Sequence, residues 1–434
     1  MYLRLTKPLI FHNVSDNIYI SIVGTMFMII RKKYLERIIP FINKPLIKAI
    51  IGVRRSGKTV LMMQLKDYLI SSGIEAEHVL YINFESMAFS NLLDSNKLYS
   101  YVLEVSKKIQ GKRLYLFFDE IQVISYWETL LASFLVDIDC DIYISGSNSK
   151  LLSSELATHI AGRYIHIDIY PFNFLEYKDY SKDLEISLSD EELFNEYLEF
   201  GGLPQSISLP NSFSKKTYLR DVYNTIVVND IAERNKISDL DLLKRLIVFL
   251  LDNIGNTFSA NSIAKSLSSL GIKTSVPTIL TYISYILKSL IIYPVRRYDI
   301  KGKQLLSTSE KYFCIDLGLR NCIKSSERSD YSKLFENIIF LEMLGRGYEV
   351  AVGKVGEYEI DFVCYNHNKE RLYIQVAYML SDQATIDREF RPLYLISDNY
   401  PKIVISADKF DFSRDGIKHY NIIDFLKNTD FQNY

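Results

Sequence analysis

The stretch Gly52-Val53-Arg54-Arg55-Ser56-Gly57-Lys58-Thr59 sits between the apolar run Leu46 to Ile51 and the helix-like segment Val60 to Leu69. It fits the pattern G-x-x-x-x-G-K-[ST] in the strand, loop and helix setting which that pattern requires. The spacing has a chemical reason. Glycines let backbone N–H groups turn inward on phosphate oxygens, a lysine meets the β and γ oxygens, and a hydroxyl reaches Mg²⁺. The expected phosphate contacts are Gly52, Arg54, Arg55, Ser56, Gly57, Lys58, Thr59 and Val60, with Thr59 also on the metal.

Downstream, Leu114-Tyr115-Leu116-Phe117-Phe118-Asp119-Glu120 reads as a buried parallel strand whose carboxyl end carries two acids, the place where such sheets bind ligands. Asp119 is expected to hold Mg²⁺ with Thr59, and Glu120 to orient or deprotonate an attacking water. Paired acids favour a hydrolase over a passive binder. A further strand, Asp141-Ile142-Tyr143-Ile144, breaks into Ser145-Gly146-Ser147-Asn148-Ser149. Asn148 is the expected contact to the γ-phosphate or the water. Arg163, after Gly162, is the expected guanidinium for transition-state charge, in its own subunit or a neighbour's.

Pro45 to Thr59, Phe118-Asp119-Glu120-Ile121-Gln122 and Ser145 to Ser149 together resemble the bacterial and archaeal AAA+ superfamily ATPases related to archaeal STAND-type ATPases. Pro171-Phe172-Asn173-Phe174-Leu175-Glu176-Tyr177, Gly201-Gly202-Leu203-Pro204 and Tyr373-Ile374-Gln375-Val376-Ala377-Tyr378 look like further signatures in the same order. The resemblance covers roughly Arg31 to the C-terminus. It implies Mg²⁺-dependent ATP binding, with ADP as the product of hydrolysis, and it raises the expectation of a homo-oligomer.

The chain has 434 residues, enough for two or three domains with real cores. Lys plus Arg number 51 against 52 for Asp plus Glu, which excludes a bulk polyanion binder and makes any nucleic-acid surface local. Cys140, Cys314, Cys322 and Cys364 form no C-x-x-C pair, which argues against zinc and a disulfide framework and for a reducing cytoplasm. The apolar run Ile18 to Ile30 is too short to span a bilayer. No stable membrane insertion is expected, and residues 1–27 read as a spurious or dispensable start before Met28, a domain map opening with 1–30 as extension.

Residues 31–200 are then the ATPase domain, an α/β parallel sheet. Residues 201–310 read as helical: Leu242 to Leu251 is strongly apolar, a helix over Ser259 to Leu267 and a second over Ser275 to Leu290 flank Gly271, and Arg296 to Leu306 reads as a two-stranded wing with Gly302 at its tip. That is the order of a winged helix-turn-helix. Lys265, Lys273, Lys288, Arg296, Arg297, Lys301 and Lys303 face the single acid Asp299 between Ile263 and Ser309, an imbalance suited to DNA phosphates. Double-stranded DNA contact is expected through Lys273, Arg296, Arg297, Lys301 and Lys303, with a protein partner as the alternative.

Residues 311–434 look similar to a restriction-endonuclease-like α/β domain. The resemblance places Glu336 on a helix and Asp361 on a strand as metal-site acids. The third element departs from it: Gln375 stands in place of a carboxylate and Ala377 in place of a lysine. Loss of the lysine removes charge stabilisation at phosphorus, so the expectation is a non-cutting domain used for binding, with Lys354 or Lys369 as conceivable replacements.

Overall fold

Strand β1 (Ile47–Ile51) is buried at every position, and the strands around it form the first of two sheets. The computed structural model describes residues 29–148, 162–269, 271–323 and 330–428. The expectations for residues 1–27 fall outside these. β2 (Val79–Asn83), β3 (Leu114–Asp119), β4 (Cys140–Gly146) and β5 (Tyr164–Asp168) complete a five-stranded sheet in the order β2-β3-β4-β1-β5. Every neighbouring pair is parallel. Parallel neighbours need long crossovers, and the helices Lys58–Ser71, Ser95–Lys108 and Trp127–Asp137 supply them.

Both faces of the sheet are covered, which explains why β3 reads as unbroken apolar sequence instead of an alternation. Leu116 and Phe118 enter one core, while Tyr115 and Phe117 enter another with Ile50 and Tyr143, since successive strand side chains point to opposite faces. The one buried charge within β1, Lys48, is neutralised across the ladder by Asp141 of β4.

After β5, capping boxes open the helices Phe174–Asp183 (Asn173 with Glu176) and Asp190–Phe200 (Ser189 with Glu192). Helix Ser212–Thr225 runs on into a π-helical segment, Ile226–Glu233. Helices Leu240–Asp252, Ala260–Ser269 and Val276–Lys288 follow, then an antiparallel hairpin of β6 (Ile292–Asp299) and β7 (Gln304–Cys314).

The helices and hairpin appear in the expected sequence, but the hairpin is not a free wing. β6 pairs in parallel with β8 (Glu349–Val355), matching Arg297, Tyr298 and Asp299 to Val352, Gly353 and Lys354. β9 (Tyr358–Tyr365), β10 (Arg371–Val376), β11 (Lys402–Ser406) and β12 (Lys418–Asn421) extend this to a seven-stranded mixed sheet, β12-β11-β10-β9-β8-β6-β7. The expected boundary at residue 310 therefore cuts through β7, and the C-terminal sheet begins at Ile292. Helix Tyr331–Arg346 packs on this sheet through Phe340, stacked on Phe313 with ring centroids 4.7 Å apart. Phe335 of the same helix meets Phe194 at 5.7 Å, so the hydrophobic core continues from the five-stranded sheet to Phe425. Among the described residues no helix is long and apolar enough to cross a membrane.

Candidate nucleotide site

The carboxyl ends of β1, β3 and β4 converge on one rim. Gly52 leaves β1 and donates its N–H to the carbonyl of Gly146 at the end of β4. A side chain at Gly52 would bring its Cβ to 2.3 Å from the carbonyl oxygen of Ile169, so only glycine lets the loop pass there. The loop runs Gly52 to Gly57, and helix Lys58–Ser71 starts immediately after it, aiming its N-terminal N–H groups and positive dipole end at the rim. The Lys58 ammonium donates to the carbonyls of Gly52 (3.1 Å) and Val53 (3.2 Å) and pairs with Glu120 at 3.5 Å.

Asp119 is fully buried at the end of β3. Its Oδ2 accepts hydrogen bonds from Thr59 Oγ1 (2.8 Å), Tyr81 Oη (2.8 Å) and Asn83 Nδ2 (3.3 Å), and its Oδ1 accepts one from Ser145 Oγ. Thr59 and Asp119, the two expected metal ligands, are thus in direct contact. A hydroxyl and a carboxylate on this rim are hard oxygen donors of the type Mg²⁺ takes while keeping several waters and phosphate oxygens, so the donor set fits that ion. Ser145 Oγ also accepts the N–H of Glu120 at 3.0 Å. Glu120 adopts left-handed backbone, φ 57°, an uncommon state for a residue with a Cβ, which turns its carboxylate toward Lys58. Burial works to raise its pKa, but Lys58, Gln122 and Arg54 outweigh that and hold it below the ordinary carboxylate range. One of its oxygens pairs with Lys58 and the other accepts from Gln122 Nε2.

Several residues at the rim carry no motif. Tyr81 and Asn83 lie on β2 at alternate positions, and Asn83 stands opposite Asp119 in the ladder; the period-two spacing was their only signal. Arg31 is the least obvious. Only 2% exposed, its guanidinium donates to the carbonyls of Ser56 in the phosphate loop (3.0 Å) and Tyr170 (2.9 Å) and makes a two-pronged pair with Glu176 (3.0 and 2.7 Å). Arg54, half-buried, pairs with Asp230 of the π-helical segment at 3.0 Å and with Glu85 at 3.3 Å. Arg55 is exposed, with left-handed φ 68°.

Asn148 is buried just beyond β4, on the same rim. Arg163 is not brought there. Its carbonyl accepts the N–H of Ile47 at the start of β1, and β5 runs parallel to β1, which puts Arg163 at the amino edge of the sheet, a strand length from the phosphate loop. The expectation of a contact within the same subunit is corrected: the glycine turn faces the wrong end. Lys273, between the two helices before the hairpin, and Arg296, Lys301 and Lys303 of the hairpin are exposed, whereas Arg297 is partly buried and paired with Glu359 at 3.7 Å.

The acids expected from the nuclease resemblance do gather, around a lysine that no motif marked. Lys311 of β7, 3% exposed, sits 3.4 Å from Glu336 and 2.6 Å from Glu359. Lys333 binds the other oxygen of Glu336 at 2.8 Å. Asp361 accepts the N–H of Val376 at 2.8 Å, and Gln375 spends its amide on Glu389 at 3.0 Å and on the N–H of Asp361 at 3.4 Å. Burial, and then Glu336, push the Asp361 carboxyl well above its ordinary range, against the pull of Lys311. Ammonium groups and a backbone N–H meet these acids in the structure. Among the described residues, the acidic, His or Cys side chains close enough to share an ion are Glu75, Glu77 and His78, none of this cluster. The expected stand-ins Lys354 and Lys369 are not in it; Lys369 pairs with Glu349 at 3.9 Å.

Comparison with known proteins agrees with the geometry. A model of an AAA domain matches residues 44–178, and one for a domain of unknown function matches residues 191–330. An uncharacterized protein of Haemophilus influenzae is 38% identical over 400 residues, spanning 92% of this chain and 98% of that protein. An uncharacterized protein of Methanocaldococcus jannaschii is 31% identical over 392 residues, spanning 87% and 83% respectively. Among solved structures, the Walker-type ATPase of Pyrococcus abyssi aligns with a TM-score of 0.43 at 16% identity, over 67% of this chain and 94% of that one. The chain belongs to the family that contains the Haemophilus and Methanocaldococcus proteins, and its amino-terminal part is an AAA+ P-loop domain.

Proposed function

We propose that the protein is a Mg²⁺-dependent ATPase whose nucleotide state governs binding of DNA or a protein partner through its helical and C-terminal parts. The observation that carries this is the pairing of Lys58 with Glu120 and of Thr59 with Asp119 on one rim: one pair serves phosphate and water, the other the metal. Lys58 clamps the phosphates, Thr59 and Asp119 place Mg²⁺, and Glu120 positions the water. Asn148 is assigned to the γ-phosphate or the water from its place on the same rim. DNA is the first partner to try, because Lys301 and Lys303 lie exposed at the hairpin turn, Arg296 is exposed on β6 and Lys273 is exposed between the two preceding helices, basic side chains of the kind that supply phosphate contacts.

The test is ATP turnover by the full chain, with and without double-stranded DNA, beside Lys58→Ala and Glu120→Gln. Lys58→Ala is expected to abolish nucleotide binding. Glu120→Gln is expected to retain it and to slow hydrolysis by about 10²- to 10⁴-fold, the usual contribution of a general base. Hydrolysis by Glu120→Gln at the parent rate would remove Glu120 from the mechanism. Stimulation by DNA that vanishes in Lys58→Ala identifies a DNA-coupled ATPase, and turnover indifferent to DNA shifts the search to proteins.

A further inference from the structure

Helix Tyr331–Arg346 and the chain leaving β10 meet in a short aromatic stack. The ring of Tyr331, the first residue of the helix, lies on the ring of Tyr378 with centroids 4.9 Å apart and planes 24° apart, and Tyr378 meets Phe335 edge-on at 5.6 Å. Phe335 is buried, whereas Tyr378 is 41% exposed, Tyr331 45% and Met379 47%. The stack thus rises out of the core and ends on Tyr331 in solvent. A single exposed aromatic residue is ordinary, but a stacked pair beside an exposed methionine leaves a patch of apolar surface in water, the kind that marks an interaction site.

The registers of the C-terminal sheet fix what lies along the same edge. Asp299 at the end of β6 stands opposite Lys354 near the end of β8, and Val355 stands opposite Tyr358 at the start of β9. Ile374 of β10 stands opposite Phe362 of β9, which brings Tyr378, four residues on, level with Tyr358. The carbonyl of Tyr378 accepts the N–H of Ala407, just past β11. The hairpin turn with its exposed Lys301 and Lys303, the partly exposed Lys354 and the tyrosine stack therefore share one edge. β10 and β6 are three strands apart in the sheet order, a span of about 14 Å. Lys354 and Glu359 are a cross-strand pair, so their side chains leave the same face. Glu359 is tied through Lys311 to Glu336 of helix Tyr331–Arg346, which puts Lys354 on the helix side of the sheet, with the stack.

A row of lysines ending on an open aromatic ring suits a nucleic-acid strand whose bases are unpaired: cations meet the phosphates and the ring meets a base. A base inside a duplex has both faces covered by its neighbours and cannot lie on Tyr331. We propose that this edge binds an unpaired DNA strand, with phosphates along Lys301, Lys303 and Lys354 and one base on the outer face of Tyr331. This deepens the DNA reading above and rests on it. The hairpin lysines serve either form of DNA, and the stack selects the unpaired one.

The measurement is fluorescence anisotropy of a labelled mixed-sequence oligonucleotide, as a single strand and as its duplex, titrated with the full chain as parent, Tyr331→Ala, Tyr331→Phe and the double variant Lys301→Ala with Lys303→Ala. Alanine is a good helix former and Tyr331 is nearly half exposed, so its truncation leaves the fold in place. Tyr331→Ala is expected to weaken the single strand by about tenfold, the equivalent of about 1.4 kcal/mol and within the range for one base on an aromatic ring, with the duplex changed by less than about twofold. Tyr331→Phe should bind like the parent, since the ring and not the hydroxyl makes the contact. The double lysine variant should weaken both forms, as lost phosphate contacts do. Tyr331→Ala that weakens neither form, or both equally, would overturn the proposal, and the first result would give the stack to a protein partner. A parent that holds the duplex but no single strand overturns it too and leaves the DNA reading standing, whereas a parent that holds neither removes both.

Discussion

Arg31 shows how much of the site depends on a residue without a motif. A guanidinium removed from water is tolerable when its donors are met, and here the carbonyls of Ser56 and Tyr170 and both oxygens of Glu176 take four of its N–H groups, with the centre of the Tyr34 ring 4.4 Å from its central carbon. The arrangement ties the phosphate loop to the start of helix Phe174–Asp183, where Glu176 also caps Asn173. Replacing Arg31 by Ala leaves two carbonyls and a carboxylate without their donor. The expected cost is about 3–5 kcal/mol, as for other buried pairs that lose one partner, together with weaker nucleotide binding because Ser56 is released. Urea midpoints of parent and variant check the first part, and nucleotide titration checks the second. A stability unchanged within about 0.5 kcal/mol, as for an ordinary surface substitution, would mean the guanidinium is not the tie described.

At the scale of elements, the hairpin β6–β7 explains both what sequence reading could reach and what it could not. Its alternating residues and Gly302 turn are local signals, and the hairpin forms where they point. Its partner β8 begins at Glu349, far along the chain, and nothing in Arg297, Tyr298 and Asp299 announces that they pair with Val352 to Lys354. The same non-local step hid Lys311, which joins the acidic cluster only because β7 is the edge strand of that sheet. Burial alone would lower its pKa, and the surrounding Glu336, Asp361 and Glu359 reverse that and hold it above the ordinary lysine range. Lys311→Met should therefore destabilise the fold by about 3–5 kcal/mol. Adding Glu336→Gln should recover part of that loss, because one of the two carboxylates that lose Lys311 is removed while the partly exposed Glu359 remains. A double-mutant cycle in urea reads the coupling; strictly additive losses would show that the two side chains do not compensate each other.

Across the whole molecule, the phosphate loop, Asp119, Glu120 and the parallel sheet were legible because each is written in a short stretch: glycines at fixed offsets, an apolar run, two acids at its end. The junction that makes the parts one body was not. Gly201 and Gly202 looked like a signature of unstated purpose, and the structure shows their reason: Gly201 has φ 70°, a Cβ there would lie 2.3 Å from the carboxylate of Asp316, and the N–H of Gly202 donates to that carboxylate at 2.7 Å. Asp316 also caps the helix Leu317–Asn321 through the N–H of Leu319 at 2.9 Å, so one carboxylate joins the end of the amino-terminal part to the C-terminal part. Burial raises its pKa from 3.8 to about 6, against the lowering effect of the N–H groups of Leu319, Gly202, Gly318 and Leu203. The sign follows from proton uptake. Between pH 3.8 and about 6 the folded protein holds a proton that the unfolded chain releases, so this group's contribution to stability is greatest below that window and falls as pH rises through it. The whole change is about 3 kcal/mol. Asp316→Asn cannot titrate, and its side-chain NH₂ sets a fixed cost that does not vary with pH. The stability difference between parent and Asp316→Asn, measured by urea unfolding at pH 4 and pH 7, should shift against the parent by most of that amount, about 2 kcal/mol. A difference that stays constant over the window would show that Asp316 is ionised in the folded state throughout, with the backbone donors outweighing burial.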